Sequence, residues 1–143
     1  MQADANCRLL MSIPHIGPIS AAALPVALET PGVLARGRAF AAFLRLVPRQ
    51  HASAENIRPR GGGPLRACEM RRYLVLAAQT LLIRVDRIKE PPQDRLLARA
   101  EQMRRRKMLN VAVVAVAAKL ARIAWAVTAS NQPYPGPIGT QPV

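Results

Sequence analysis

"VAVVAVAAKLARIAWAV", Val111–Val127, is the stretch on which the fold turns, because a run this apolar has to be either a membrane span or a core helix. Two cations, Lys119 and Arg122, interrupt it. Each Lys or Arg near a bilayer centre costs about 2.5–3.5 kcal/mol on insertion scales. The uninterrupted part, Val111 to Ala118, is too short to cross a bilayer. The expectation is therefore a buried helix from about Met108 to Val127, with no membrane as partner. Lys119 and Arg122, spaced i, i+3, then mark its wet face or its nucleic-acid face.

Helical patterns continue outward from that segment. "DRLLARAEQMRRRK" reads as a short basic helix with Asp94 near its positive end, and "EPPQ" separates it from the helix before. That earlier helix is expected from Glu69 to about Lys89, with Tyr73, Ala77, Leu81 and Val85 marking one face at i, i+4, i+8 and i+12. Between Arg49 and Cys68, "RQHASAENIRPRGGGPLRAC" has three consecutive glycines and no apolar period, which predicts a long irregular loop. "RAFAAFLRLV" places Phe40, Phe43, Leu44 and Val47 at helical spacing, with Pro48 as its stop. Near the start, a helix over Asn6 to Ser12 has Asp4 or Asn6 as cap, and Ile13-Pro14 ends it. A second helix opens at Pro18, with Pro25 expected to kink or shorten it. "SNQPYPGPIGTQPV" is rich in Pro and Gly and predicts a disordered tail. No strand is convincing anywhere, so the fold class is all-α, with one domain over 4–127 and a disordered tail over 128–143.

Composition narrows the function. A chain of 143 residues holds one domain with a real core, and half of its residues are apolar. The charges are lopsided: 21 Lys plus Arg against 8 Asp plus Glu, a net +13. Apart from Lys89, Lys107 and Lys119 the cations are arginines, whose planar fork pairs with phosphate at two points. A GC-rich genome would explain Arg over Lys, but not the net charge. Arg104, Arg105, Arg106 and Lys107 form the densest cluster, read either as a solvated helix end or as a phosphate contact. Arg58, Arg60, Arg66, Arg71 and Arg72 are a second, looser group. Trp125 and Tyr73 sit among alanines and valines at helical spacing and read as core rather than as base-stacking platforms. Cys7, Cys68, His15 and His51 are scattered, which predicts no zinc site and fits a reducing cytoplasm. "MQADANCRLL" is polar and lacks the form of a signal peptide.

"SIPHIGPISAAAL", Ser12–Leu24, has the outline of a helix, a tight turn and a helix opening at proline. A helix-hairpin-helix turn points backbone N–H groups and a helix N-terminus at a phosphate, and glycine lets the strand approach. Pro14, His15, Ile16 and Gly17 are the candidate DNA-binding residues here. An ordinary αα-corner is the competing reading.

Four blocks in order, "CRLLMSIPHIGPISAAAL", "FAAFLRLVPRQHAS", "RRYLVLAAQTLL" and "VAVVAVAAKLARIAWAV", closely resemble the C-terminal domain of the IS110/IS116/IS902 family of bacterial insertion-sequence transposases. The resemblance covers about Asp4 to Val127. It implies a DNA recombinase in two parts, in which a RuvC-like N-terminal domain holds magnesium and the C-terminal domain carries a nucleophilic serine. By position that serine is Ser53, which competes with its reading as a plain loop serine; only His51 lies near it as a base. The implied partners are DNA, a structured guide RNA, and a full-length transposase or a second copy.

The chain departs from the family pattern in places. His15 stands for the first glycine of a Pro-Gly-x-Gly turn, Ala54 for the glycine after the serine, and Ala118-Lys119 for an Asn-Lys pair. Its eight acids are scattered singly, so no cofactor is expected in this chain, and magnesium would belong to the RuvC-like domain. The resulting expectation is DNA binding in transposition, with no strand transfer by this polypeptide alone. The alternative is a stand-alone helix-hairpin-helix nucleic-acid-binding or regulatory module.

Overall fold

The structure, a computed structural model, describes residues 2–28, 36–46, 63–89 and 94–135. Six helices account for most of them: α1 (Gln2–Met11), α2 (Pro18–Leu28), α3 (Gly37–Phe43), α4 (Gly63–Arg87), α5 (Arg95–Arg106) and α6 (Leu109–Ser130). No strand occurs among the described residues, and the protein is all-α as its sequence predicts.

The hub is α6, which contains Val111–Val127. α6 packs against α1, α3, α4 and α5. It buries Ala112, Val116, Ala117, Leu120, Ala121 and Ala124 along its length. Alanine at so many of these positions keeps the side-chain layer thin, so the neighbouring helices approach closely. By length and composition α6 would also cross a membrane, but half of its apolar window is covered by the other helices. Against it α4 buries Met70, Leu74, Ala78, Leu81, Leu82 and Val85. This stripe is wider than the single row read from the sequence, because a helix touching neighbours on two sides needs both the i+3 and the i+4 rows. Leu10, Ile13, Leu24, Leu28, Phe40 and Leu44 complete one continuous core at 1 % exposure or less. Each such side chain contributes on the order of 1.5–3 kcal/mol by leaving water.

Helix ends differ from expectation for identifiable reasons. α1 begins at Gln2 rather than Asn6. α2 opens at Pro18 as read and runs through the buried Pro25 to Leu28, so Pro25 does not shorten it. Burial of Ala21, Leu24 and Leu28 offsets the hydrogen bond that Pro25 cannot make. α3 stops at Phe43, well before Pro48. Arg45 takes the left-handed conformation with φ 56°. The Leu46 N–H then donates to the Ala41 carbonyl and the Arg45 N–H to the Ala42 carbonyl, both at 3.0 Å. This is a Schellman closure with arginine where glycine is usual. α4 starts at Gly63, so the end of the expected loop is helical; Pro64 in its first turn supplies a preset φ. α6 continues to Ser130, past the expected start of the tail at 128, and Tyr134 packs against the core.

Candidate nucleic-acid interface

The connection between α1 and α2 is built from two hydrogen-bonded turns. The Ile13 N–H donates to the Leu10 carbonyl at 3.1 Å, and the Ile16 N–H to the Ile13 carbonyl at 3.3 Å. In the second turn Pro14 is the first central residue and His15, at φ 66°, is the second. Proline cannot take a positive φ, so this is a type II turn, whose second central position favours glycine. His15 therefore occupies the glycine position without the glycine. Gly17 follows as the N-cap, its carbonyl accepting from the Ala21 N–H at 2.9 Å, and Pro18 is the first helical residue. A side chain on Gly17 would meet no atom within 4 Å, so packing does not demand glycine there. The missing side chain leaves open space beside the turn, one residue before α2.

The four predicted turn residues split by environment. Ile16 is only 5 % exposed and anchors the turn to the core. Pro14 and His15 are half-buried, and Gly17 is exposed. His15 Nε2 is buried with no hydrogen-bond partner. Burial, and then the nearby Arg84 guanidinium, hold its pKa below the usual histidine value. Arg84, which the sequence reading passed over, is thus the cation that α4 brings towards this turn.

The second basic region lies on α5 and α6. Asp94 caps α5: its Oδ1 accepts from the Leu96 N–H at 2.7 Å. Two of the four clustered cations have acidic partners. Arg104 Nε lies 3.3 Å from Asp86 Oδ2 across to α4, and an Arg105 terminal nitrogen lies 2.7 Å from Glu101 Oε1 one turn back. Arg106 and Lys107 are exposed and have no acidic partner among the described residues. Neither do Arg95 and Arg99, which stand in line with Arg106 at i, i+4 and i+11 on the exposed side of α5. The spacing that marks this stripe was present in the sequence but was hidden behind the denser run at its end.

Between α5 and α6 runs a small cleft with Arg99 on one wall and Lys119 and Arg122 on the other. Most of its remaining lining, including Ala100, Ala115 and Val116, is apolar. Lys119 is exposed. Arg122 is half-buried and its Nε is covered without a hydrogen-bond partner. Its backbone lies against α3, where a Cβ on Gly37 would stand 3.4 Å from Arg122 Cα and 3.4 Å from Trp125 Cε3. Tyr73 and Trp125 are both half-buried against the core, as their spacing predicted.

Ser53, His51, Arg58 and Arg60 lie outside the described residues, so no catalytic arrangement is built on them here. Arg71 and Arg72 are exposed on α4. No three His, Cys, Asp or Glu side chains come together among the described residues. Asp86 pairs with Arg104, Asp94 caps α5 and Glu101 pairs with Arg105, each apart from the others. The described donors do not fit magnesium, which favours several carboxylate oxygens on one ion.

Residues 7–93 match the profile of the Transposase IS116/IS110/IS902 family. Over 137 residues, 93% of this chain, it is 34% identical to the y4pF/y4sB protein of Sinorhizobium fredii, which is assigned as a transposase. A family 20 transposase assigned in Pseudomonas aeruginosa is 34% identical over 139 residues, 94% of this chain. The transposase for insertion sequence element IS1328 of Yersinia enterocolitica is 34% identical over 125 residues, 87% of this chain. The matched region makes up 34%, 38% and 36% of these relatives, so the chain spans about a third of their length. With one profile covering more than half its residues, from α1 through the whole of α4, this chain belongs to the IS116/IS110/IS902 family of transposases.

Proposed function

We propose that this chain binds DNA in insertion-sequence transposition, as the C-terminal domain of a transposase whose strand chemistry resides in the assembled enzyme. The observation that carries this reading is the distribution of unneutralised charge. Asp86, Glu101 and Asp94 are already engaged, by Arg104, Arg105 and the α5 cap. Arg95, Arg99, Arg106, Lys107, Lys119 and Arg122 are left without acidic partners among the described residues. A surface so charged gains most from a polyanion, whose condensed counterions it releases.

On this reading the turn at Gly17 is a helix-hairpin-helix contact. The open N-terminus of α2 meets one strand, with Arg84 near by. Arg104 and Arg105 join the contact only by leaving Asp86 and Glu101. The protein acts in the cytoplasm, with a guide RNA and a full-length transposase or second copy as further partners.

The test is duplex-DNA affinity measured across a range of salt. Each phosphate contact contributes a slope of about −0.9 in log K against log salt. Six cations in contact would give a slope of roughly −5. An affinity that stays flat from low to moderate salt refutes the proposal.

A further inference from the structure

Resting on that reading, we infer that the α5–α6 cleft is a seat for a single backbone phosphate of the DNA, held by Arg99, Lys119 and Arg122. Three observations converge on it. First, cations face each other across the cleft from two helices, and no acid is among its lining residues. Cations gathered on one cleft without an acid among them favour an anion between them. Second, the Arg122 Nε–H is covered and unpartnered, while the backbone of the same residue is pinned against α3. Its donor is thus enclosed by protein rather than bathed in water. Buried donors nearly always have an acceptor, and a phosphate oxygen between the helices would supply one.

Third, the floor is small. Ala100 and Ala115 carry only methyl groups, so the two helices leave room for an anion that larger side chains would fill. The site differs from the turn at Gly17 in kind: side chains make it, not backbone N–H groups. It also differs from Arg106 and Lys107, which stand free in solvent at the end of α5. A phosphate seated here would sit beside the exposed Arg95–Arg99–Arg106 line, which continues along α5 as a track for neighbouring phosphates.

The experiment compares wild-type chain with Arg99→Gln, Lys119→Gln and Arg122→Lys, and with Arg8→Gln on α1 as a control. Circular dichroism and melting first check that each variant keeps its helices. Binding to a duplex DNA and to a duplex RNA of equal length is then measured against salt. The expected result is that Arg99→Gln and Lys119→Gln each lower the DNA slope by about 0.9, while Arg8→Gln leaves it alone. Arg122→Lys keeps the charge but loses the Nε–H, so it weakens DNA binding with a nearly unchanged slope. If the three cleft variants bind DNA as wild type does, with the wild-type slope, the cleft assignment fails while DNA binding by the chain stands. If only RNA binding responds to the cleft variants, the assignment to DNA fails. If wild type itself shows no salt-dependent DNA binding, the broader proposal has failed first and the cleft assignment falls with it.

Discussion

Tyr134 and Asp94 meet side chain to side chain although 40 residues separate them. The tyrosine hydroxyl donates to Asp94 Oδ1 at 2.6 Å, on the same oxygen that accepts the Leu96 N–H at 2.7 Å. The Tyr134 N–H meanwhile donates to Ser12 Oγ at 2.8 Å, beside the α1–α2 turn. Tyr134, four residues past the end of α6, therefore ties the start of α5 to the end of α1. Asp94 itself is 6 % exposed, so both of its hydrogen bonds are formed largely away from water.

Replacing Asp94 with Ala is expected to cost about 1–2 kcal/mol, from the lost cap and the stranded tyrosine hydroxyl. Asp94→Asn keeps an acceptor at the cap and is expected to cost less than half as much. Tyr134→Phe should cost about 1 kcal/mol. Urea unfolding followed by circular dichroism measures all three. Equal losses in Asp94→Asn and Asp94→Ala would show that the acceptor is not what holds the junction.

The same contact sets an alkaline limit. Burial first, and then the hydrogen bond to Asp94, push the Tyr134 hydroxyl above its ordinary pKa. The folded state thus prefers the protonated phenol more than the unfolded chain does. Its stabilising share is complete below about pH 10 and declines as pH rises past that value, where the unfolded tyrosine ionises first. Stability measured from pH 8 to 11 should fall more steeply in wild type than in Tyr134→Phe. Parallel curves for the two proteins would contradict this.

His15 sets an acid limit of the opposite sign. Its folded pKa is lowered, by burial and then by Arg84, so the fold disfavours the imidazolium. The contribution is intact above the ordinary histidine pKa of about 6.5 and is lost progressively as pH falls below it. His15→Gly removes the titrating group and places glycine where φ is 66°. That variant should lose less stability than wild type between pH 7.5 and 5. A wild-type stability that is level over this range would count against the buried, neutral histidine.

Arg45 offers a gain. At φ 56° a side chain is strained relative to glycine, by about 1 kcal/mol. Arg45→Gly completes the usual chemistry of the Schellman closure at the end of α3, and its melting temperature is expected to rise. A fall would mean that the arginine side chain makes a compensating interaction.

Gly17 separates folding from binding. Because no atom lies within 4 Å of an added Cβ, Gly17→Ala should leave the melting temperature within a degree or two of wild type. If DNA approaches the backbone at this turn, the added methyl blocks it and affinity drops several-fold. Unchanged DNA affinity in a normally folded Gly17→Ala protein would remove the turn from the interface.

The local pattern alone determined much of this molecule. Helical spacing marked α3 and most of α4, Pro18 marked the start of α2, and two central cations marked α6 as a core helix. The excess of arginine pointed to a polyanion. Helix ends were less legible, since a closure such as Arg45 depends on which carbonyls the surrounding packing leaves to be satisfied. The same limit applied to Pro25, whose cost is offset by the burial of Ala21, Leu24 and Leu28 in the tertiary core.

The charges show the division most clearly. Sequence counts cations, but only the tertiary structure decides which of them are free. The run Arg104 to Lys107 looked uniform, yet folding brings Asp86 from α4 to one member and leaves two others open. Arg99, Lys119 and Arg122 are spread over 24 residues of chain and come together only because α5 folds back along α6. Electrostatic energy depends on distance in space and on exposure to water, and neither is written in the order of residues.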